Sequence, residues 1–234
     1  RECLVCGPFP IPNLPEQKSD EMSDWLVDTP QHNQAFEYNF LQDQGGEAEL
    51  IPTPGLTHQF GSETYTWQPM QSNNKKFDLF EFFNQTQHAV AYAYAEFESP
   101  GEREAVLSLG SDDAMKVYLN GEKVYEFLGD RQLIVNDDIA DVTLKKGTNR
   151  LMFKILNMPM EWGFSCQVMD TDAMPLSYQL AQMFAIKNSG QSVNPQTNEL
   201  IWQTIFFAFL SILFFFIFIV GGIKAIVTYR NKSE

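Results

Sequence analysis

Cysteine and histidine are scarce in this sequence, with three residues of each among 234. Cys3, Cys6 and Cys166 are too few to form a disulfide scaffold. Cys3 and Cys6 have the CxxC spacing of redox and zinc motifs, but the sequence contains no second CxxC and no βαβ pattern beside them. Their side chains would lie on opposite faces of an extended segment. We therefore expect no metal or redox cofactor, and a single disulfide in an oxidising compartment stays open as an alternative.

Basic residues are also few, with 16 Lys and Arg against 30 Asp and Glu. Most of the excess lies in residues 1–170, which hold 27 acidic and 12 basic residues. Nucleic acids and anionic lipid surfaces bind proteins through basic faces, so this composition argues against both as partners. Solubility is a sufficient reason for the acidity.

The short motifs that mark common enzymes are missing. The sequence contains no glycine-rich phosphate loop and no Ser or Cys in a nucleophile elbow, and His32, His58 and His88 are scattered. A glycosidase needs two carboxylates about 5–10 Å apart across a cleft, and no short motif here places two on one strand face. We therefore expect a chain without catalytic activity and without a cofactor.

One long hydrophobic run is present. Residues 204–223, TIFFAFLSILFFFIFIVGGI, carry no charge, and twenty helical residues span about 30 Å, the thickness of the hydrocarbon core of a bilayer. Lys224 and Arg230 follow the run, whereas the segment before it, SGQSVNPQTNEL, has neither Lys nor Arg, which predicts a cytoplasmic C-terminus. Trp202 and Tyr229 flank the run as interfacial anchors would. The sequence predicts a single-pass membrane protein whose N-terminal part is periplasmic or extracellular.

These features divide the chain into four parts. We predict an extracytoplasmic domain over 1–170, a juxtamembrane helix and linker over 171–199, a transmembrane helix over 200–229 and a short cytoplasmic tail over 230–234. The juxtamembrane helix is predicted from one apolar stripe, formed by Leu176, Leu180, Met183 and Phe184.

Between residues 77 and 170, short β-rich segments alternate with turn residues at intervals of about 8–12 residues. The segments are FDLFEFF, HAVAYAYAEFE, EAVLSLG, MKVYLNG, EKVYEFL, ADVTLKKG, NRLMFKIL and GFSCQVMD. This spacing predicts an all-β antiparallel sandwich. Residues 7–75 include GPFPIPNLP, which has four prolines in nine residues, and we expect only loops and short edge strands there.

Alternation within two of these segments assigns their faces. The predicted inward residues are Met115, Val117 and Leu119 in one segment and Leu151, Phe153 and Ile155 in the other. Arg150 and Lys154 then face outward. Asn120 and Gly121 fit a two-residue type I′ hairpin turn, and KKGTN predicts the next hairpin, with Gly147 in the left-handed region.

Several motifs occur in an order that is typical of one family. The segments LVCGPFP, AVAYAYAEFES, LGSDDAMKVYLNGEKVY, LKKGTNRLMFKILN and WGFSCQVMD resemble the galactose-binding-like jelly-roll modules of bacterial exported proteins. The resemblance covers residues 1–170. It implies a jelly-roll ectodomain of eight or nine strands, related to the sugar-binding domains attached to glycoside hydrolases.

The SDD turn also resembles a turn of protective-antigen-type glycan-binding domains, in which paired aspartates hold a calcium ion that contacts sugar. The resemblance implies Asp112 and Asp113 as candidate calcium and glycan ligands. Ala114 replaces the usual glycine, and no calcium-ligand spacing surrounds the pair, although calcium takes six or more oxygens. Capping of a turn is the alternative role for both acids. Tyr118 and Trp162 are candidate sugar-stacking rings, with loop packing as the alternative.

Three functions are compatible with these features. The first is a non-catalytic accessory subunit of a larger membrane complex, because the terminal segment IVTYRNKSE is too short for a signalling module. Seven phenylalanines within residues 206–218 also suit packing against other integral membrane proteins. The second is a sensor or receptor ectodomain whose output domain would follow Glu234. The third is a surface carbohydrate-binding protein, which is compatible with either of the others.

Overall fold

A computed structural model describes residues 2–11, 30–72, 74–158 and 160–170. The predicted juxtamembrane helix, transmembrane helix and cytoplasmic tail lie outside these residues, as do the predicted membrane anchors Trp202, Lys224, Arg230 and Tyr229. Within the described ranges, no helix has the length and apolar character that crossing a bilayer requires. The membrane assignment therefore stays a prediction.

The described residues form twelve strands and three short α-helices. The strands are β1 (Glu2–Pro10), β2 (Thr57–Phe60), β3 (Glu63–Thr66), β4 (Gln68–Gln71), β5 (Phe77–Asp78), β6 (Ala89–Ser99), β7 (Arg103–Asp112), β8 (Ala114–Leu119), β9 (Glu122–Phe127), β10 (Asp138–Leu144), β11 (Gly147–Asn157) and β12 (Gly163–Met169). The helices are α1 (Pro30–Glu37), α2 (Gly46–Glu49) and α3 (Leu79–Phe82), and a 3-10 turn covers Gln42–Gln44.

Two antiparallel sheets pack face to face. The larger sheet has the strand order β4-β1-β6-β11-β8-β9 and the smaller one β10-β7-β12-β5, while β2 and β3 form a separate hairpin. Each strand pairing among the described residues is antiparallel. The predicted all-β antiparallel sandwich is therefore confirmed. Its two sheets contain six and four strands in the described part of the chain, whereas the resemblance implies eight or nine in all.

The main core lies between the two sheets. The six residues predicted to face inward on β8 and β11 are buried there: Met115, Val117, Leu119, Leu151, Phe153 and Ile155. Leu107, Leu109 and Phe164 contribute from the smaller sheet. The register predicted from the alternation is therefore confirmed, since a shift of one residue would exchange the two faces.

The opposite face of the larger sheet is also covered. Residues between 30 and 67, with part of β1, form a second apolar cluster on it that includes Phe9, Phe36 and Tyr92. Lys154 points to this side, as predicted, but it is fully buried, and only Arg150 is exposed to solvent. The outward direction predicted for both side chains is therefore confirmed, but Lys154 is covered, because alternation along a strand identifies a face and not what lies on that face.

The N-terminal region is more regular than its proline content predicts. β1 lies inside the larger sheet, between β4 and β6, although it contains Pro8 and Pro10. β4 pairs only with Glu2–Val5, and the pairing with β6 becomes irregular further along, so both prolines lie where one edge of β1 is unpaired. α1 begins at Pro30, where the missing N–H costs no helical hydrogen bond. The expectation of loops and edge strands alone is therefore wrong.

Cys3 and Cys6 lie on opposite faces of β1, as predicted. Cys3 belongs to the core between the sheets and Cys6 to the second apolar cluster, and the two do not form a disulfide with each other. Burial raises the pKa of both thiols to about 12. Both are therefore protonated at neutral pH, which makes them poor nucleophiles and poor metal ligands.

Two local predictions are wrong and two are confirmed. FDLFEFF forms only a two-residue strand, because Asp78 caps α3 by accepting a hydrogen bond from the Glu81 amide at 3.0 Å. KKGTN does not close a hairpin, since β10 pairs with β7 whereas β11 pairs with β6 and β8. Asn120 and Gly121 do form the turn between β8 and β9, with φ of 54° and 90°. Gly147 lies in the left-handed region, with φ of 90°.

Candidate ligand-binding cavity

A cavity of about 400 Å³ opens at one end of the sandwich. Its wall is built by residues around β5 and α3, the last residue of β7, the loop before β10 and the residues that lead into β12. The lining residues are Asn74, Lys76, Phe77, Asp78, Phe80, Glu81, Asp112, Leu133, Glu161, Trp162 and Gly163. The wall therefore combines four carboxylates, one ammonium group and three aromatic rings.

Two glycines permit the close packing of backbone segments around this cavity. A Cβ atom on Gly110 would lie 2.1 Å from the carbonyl oxygen of Ile134, so the loop between β9 and β10 rests directly on β7. A Cβ atom on Gly163 would lie 2.6 Å from the carbonyl oxygen of Phe77, at the point where β12 pairs with β5. Only glycine leaves room for these approaches.

Asp112 and Asp113 lie where two loops meet the end of β7, and the peptide bond between them is cis. Asp113 accepts hydrogen bonds from the backbone amides of Met158 at 2.6 Å and Arg131 at 3.2 Å, one on each carboxylate oxygen. Oδ2 of Asp112 accepts a hydrogen bond from the amide of Leu133 at 3.3 Å. The two acids therefore hold the loop before β10 and the loop before β12 in place.

The side chain of Arg131 also holds the loop before β10, in addition to the hydrogen bond from its backbone amide to Asp113. Its Nη2 donates to the hydroxyl oxygen of Ser111 at 2.6 Å, and its Nη1 lies 2.6 Å from Oδ2 of Asp138. The guanidinium also lies over the ring of Phe127, 3.9 Å from the ring centroid. The loop that carries Leu133 into the cavity wall is therefore anchored at its backbone and at its side chains.

Burial and, to a smaller extent, like charges favour the protonated forms of Asp112 and Asp113. Burial raises the pKa of Asp112 to about 7 and the pKa of Asp113 to about 8. Repulsion from Glu161 and Asp130 adds to the rise at Asp112, and repulsion from Asp112 adds to the rise at Asp113. The backbone amides that donate to the two carboxylates act in the opposite direction, as does Lys76 on Asp112, without cancelling the effect of burial.

Trp162 and Phe80 form much of the aromatic wall. Trp162 is only 2% exposed and packs against Phe83, with ring centroids 5.5 Å apart, so it is a buried part of the wall and not an open platform. Its carbonyl oxygen accepts hydrogen bonds from the amides of Leu79 and Phe80, both at 3.0 Å, which join α3 to β12. The indole Nε1 is buried without a hydrogen-bond partner among the described residues. Phe80 is half-buried and is the more accessible ring.

The calcium ion that the resemblance implies on Asp112 and Asp113 does not fit the residues present. Both oxygens of Asp113 and one of Asp112 already accept backbone amides, and the pair offers four carboxylate oxygens at most. Calcium takes six or more oxygens. In the part of the chain that the structure describes, no three His, Cys, Asp or Glu side chains are grouped so that they could hold a metal ion.

Tyr118 does not line the cavity. It lies on the outer face of β8, where its hydroxyl donates to Oε2 of Glu47 at 2.7 Å. The hydroxyl of Tyr92 donates to Oε1 of the same carboxylate at 2.7 Å, and Nζ of Lys154 donates to that oxygen at 3.0 Å. Burial lowers the pKa of Lys154 to about 8. We call Glu47, Tyr92, Tyr118 and Lys154 the lysine cluster.

The structure therefore divides the four residues predicted as ligands. Asp112 and Trp162 line the cavity, Asp113 supports its wall and Tyr118 belongs to the lysine cluster. Most of the other polar lining residues could not be predicted from the sequence, because no motif distinguishes them from the many other polar and charged residues of the chain. Only Glu161, directly before Trp162, could be inferred from its position.

Together, the fold and the cavity define an all-β sandwich with an acidic and aromatic site at one end. No family model matches the chain, and no curated protein matches its sequence. Among solved structures, the chain is similar to a β-glucosidase from Kluyveromyces marxianus, with a TM-score of 0.39 and 15% identity, over 48% of this chain and 15% of that one.

Two further solved structures show similarity at the same level. One is a PA14 sugar-binding domain from an RTX adhesin, with a TM-score of 0.37 and 11% identity, over 73% of this chain and 91% of that one. The other is a Ruminococcus gnavus β-glucuronidase, with a TM-score of 0.34 and 13% identity, over 67% of this chain and 20% of that one. The chain thus spans only a small part of the β-glucosidase and of the β-glucuronidase.

Proposed function

We propose that the sandwich is a galactose-binding-like jelly roll that binds carbohydrate without catalysis, with the cavity beside Asp112 as the sugar site. The observation that carries this proposal is the composition of the cavity wall, where carboxylates, a lysine and aromatic rings face one open space.

The size and chemistry of the cavity suit a sugar. Its volume of about 400 Å³ falls within the usual range of small-ligand sites, about 300–1,000 Å³. Carboxylates accept hydrogen bonds from sugar hydroxyls, and Lys76 and Asn74 can donate to sugar oxygens. Phe80 and Trp162 supply apolar surface against which the C–H face of a pyranose ring can pack.

The wall is also held in place before a ligand arrives. The carboxylates of Asp112 and Asp113 fix the backbone of both neighbouring loops, and Arg131 fixes one of them again through its side chain. Binding then requires little ordering of the protein, and the loss of conformational freedom that weakens association is small.

Carbohydrate binding is compatible with the wider roles predicted from the sequence. We propose that the sandwich lies outside the cytoplasm and that the hydrophobic run at 204–223 anchors it in a membrane. An accessory subunit that contacts other integral membrane proteins and a sensor ectodomain are both consistent with a glycan-binding domain in this position.

The proposal is tested by probing a glycan array with the full chain, kept in a detergent whose head group is not a sugar. The wild-type chain is expected to bind at least one class of glycan. Phe80→Ala and Glu161→Gln remove an apolar contact and a hydrogen-bond acceptor, and each is expected to weaken binding about fivefold or more. Glu102→Gln is the matched control, because Glu102 is an exposed carboxylate in the turn between β6 and β7.

Two results would contradict the proposal. The first is an array without any bound glycan under conditions in which the chain is folded. The second is glycan binding that is equal in the wild type, Phe80→Ala, Glu161→Gln and Glu102→Gln, since the sugar site would then lie away from the cavity.

A further inference from the structure

Trp162 brings an unsatisfied hydrogen-bond donor to the wall of the cavity. This residue lines the cavity and is only 2% exposed, and its indole Nε1 is buried without a hydrogen-bond partner among the described residues. An indole N–H can donate a hydrogen bond but cannot accept one. A buried N–H without an acceptor is unfavourable, and the cost is removed when a bound molecule supplies the acceptor.

A second indole, that of Trp67, provides a comparison within the same molecule. Its Nε1 is also buried without a partner in the described part of the chain. Trp67 belongs to the second apolar cluster, on the opposite face of the larger sheet, and does not line the cavity. A molecule in the cavity can therefore contact Trp162 but not Trp67, although the hydrogen-bonding state of the two indoles is the same.

The charges of the wall restrict the kind of acceptor that can approach. Four carboxylates line the cavity, those of Asp78, Glu81, Asp112 and Glu161. Its described lining contains one cation, Lys76, which already donates to the carbonyl oxygen of Leu133 at 3.2 Å. A carboxylate, sulfate or phosphate group on the ligand would be repelled by this excess of negative charge. The acceptor for Trp162 is therefore an uncharged oxygen.

An acetamido group matches three parts of this wall at once. Its carbonyl oxygen can accept from Nε1 of Trp162, its N–H can donate to a carboxylate such as that of Asp112, and its methyl group can pack against the half-buried ring of Phe80. A hydroxyl group has no apolar part, and a protonated amino group has no acceptor.

We infer that the cavity selects glycans that carry N-acetylhexosamine units, and that the acetamido carbonyl oxygen accepts a hydrogen bond from Nε1 of Trp162. This inference rests on the proposed function and adds the substrate class to it. Because Nε1 is buried in the wall, the contact requires a rotation of side chains in that wall, a change that commonly accompanies binding.

The inference is tested by isothermal titration calorimetry on the full chain with three oligosaccharides of equal length and β-1,4 linkage, built from N-acetylglucosamine, glucosamine and glucose. The N-acetylglucosamine oligomer is expected to bind about tenfold more tightly than the other two. The preference should persist when NaCl is added, because the selected group is uncharged. On the glycan array, the bound glycans are expected to carry an N-acetylhexosamine.

Two matched variants connect the preference to one indole. Trp162→Phe removes the N–H and keeps an aromatic ring in the wall, so it is expected to reduce the preference for N-acetylglucosamine about fivefold or more. Trp67→Phe removes the other unpaired N–H and is expected to keep the preference, since Trp67 does not line the cavity.

NMR of the isotope-labelled wild-type chain provides the same test if Trp162→Phe does not fold. The indole N–H resonance of Trp162 is assigned by elimination, with single phenylalanine substitutions of the other three tryptophans. This resonance is expected to move when the N-acetylglucosamine oligomer binds, and the resonance of Trp67 is expected to stay in place.

The outcomes separate this inference from the proposed function. Equal affinity for all three oligomers, or array binding confined to glycans without an N-acetyl group, would overturn the inference, and carbohydrate binding would stand if Phe80→Ala still weakened it. A preference that Trp162→Phe and Trp67→Phe both retain, or a Trp162 resonance that does not move on binding, would also overturn it. No binding on the calorimeter or the array would overturn both proposals.

Discussion

The domain contains two buried groups of charges, and they differ in how the charges are compensated. In the lysine cluster, Lys154 donates to the carboxylate of Glu47 and to the carbonyl oxygens of Phe36 at 2.7 Å and Tyr38 at 2.6 Å. The three protons of the ammonium group therefore each have an acceptor. The carboxylate of Glu47, which carries the opposite charge, also accepts hydrogen bonds from the hydroxyls of Tyr92 and Tyr118.

The aspartate pair at the end of the sandwich, Asp112 and Asp113, is compensated only in part. Both carboxylates are buried, and both carry the same charge when ionised. The groups that donate hydrogen bonds to them are neutral backbone amides. Glu161 and Asp130 add to the repulsion at Asp112. No cation approaches either side chain among the described contacts as closely as Lys154 approaches Glu47.

This difference shows that burial of charge does not by itself indicate a binding site. A buried pair of opposite sign whose donors and acceptors match joins two parts of the fold, here the segment 36–47 and the larger sheet. The aspartate pair meets only neutral amides within the described part of the fold, and one of its members, Asp112, lines the open cavity. Substitutions in the two groups should therefore affect stability in one case and ligand binding in the other.

The largest expected effect is the loss of stability on Lys154→Met. This change leaves the Glu47 carboxylate buried without its cation and removes the donor from two backbone carbonyls. We expect the free energy of unfolding to fall by about 3–5 kcal/mol, measured by urea denaturation. Glycan binding by the molecules that remain folded should be unchanged.

Two variants control this prediction. Arg150→Met removes an exposed cation from the same strand, where its partner Glu96 is also exposed, and should change stability by less than about 0.5 kcal/mol. Lys154→Met combined with Glu47→Leu removes both charges and should recover part of the loss. A single Lys154→Met variant as stable as Arg150→Met would show that the lysine cluster does not join the covering segment to the sheet.

The next effect is that of a side chain on Gly110. Alanine at this position places a Cβ atom 2.1 Å from the carbonyl oxygen of Ile134, so the loop before β10 must move away from β7. We expect Gly110→Ala to cost about 2 kcal/mol and to weaken glycan binding, because Leu133 in the same loop lines the cavity.

Gly101→Ala is the matched control for that variant. Apart from its chain neighbours, no atom lies within 4 Å of the position of a Cβ on Gly101, so the substitution should not lower thermal stability and should leave binding unchanged. If Gly110→Ala lost stability but bound glycan with wild-type affinity, the loop before β10 would not be part of the sugar site.

A smaller effect is the dependence of stability on pH. The folded state raises the pKa of Asp112 to about 7 and of Asp113 to about 8, above the value of about 3.9 for an unfolded aspartate, so it binds protons more tightly than the unfolded state. The stabilisation is complete below pH ~4 and is lost as the pH rises to about 8. We expect the free energy of unfolding to fall by about 1.4 kcal/mol or more over this interval, the equivalent of one pKa unit.

Other groups contribute with the opposite sign, so the measurement is a comparison. Burial lowers the pKa of His88, and Lys116 lowers the pKa of Glu37, and both effects favour the folded state as the pH rises. The difference between the wild type and Asp112→Asn gives the contribution of Asp112 together with its effect on the pKa of Asp113. Parallel pH profiles for the two proteins would show that Asp112 titrates at its ordinary value.

The sequence predicts the strands of this domain better than it predicts what lies on them. β6 to β9, β11 and β12 follow from alternating apolar residues, because each strand has at least one face in the main core. The burial of Lys154 does not follow, since its cover comes from residues more than a hundred positions earlier in the chain. β5 is short because Asp78 caps α3. The apolar residues of FDLFEFF are compatible with a strand and with a helix, and the cap at Asp78 selects the helix.

The candidate site is predictable only in part for the same reason. The resemblance identifies Asp112 and Trp162 as candidate site residues. Gly163, which follows Trp162, pairs with Asp112, so Asp112 and Trp162 line the same cavity. Tyr118 alternates with buried residues of β8, and a sugar-stacking ring on a solvated face would show the same pattern. Its partner Glu47 comes from α2, which packs against that face only in the folded chain.

The smallest expected effect separates the two groups most directly. Tyr118→Phe removes one of three donors to the Glu47 carboxylate and keeps the ring, so we expect a loss of about 1 kcal/mol in the free energy of unfolding. Glycan affinity, measured by calorimetry on the full chain, should not change, because Tyr118 does not line the cavity. A loss of affinity without a loss of stability would place a sugar on the outer face of β8 and would move the binding site from the aspartate pair to the lysine cluster.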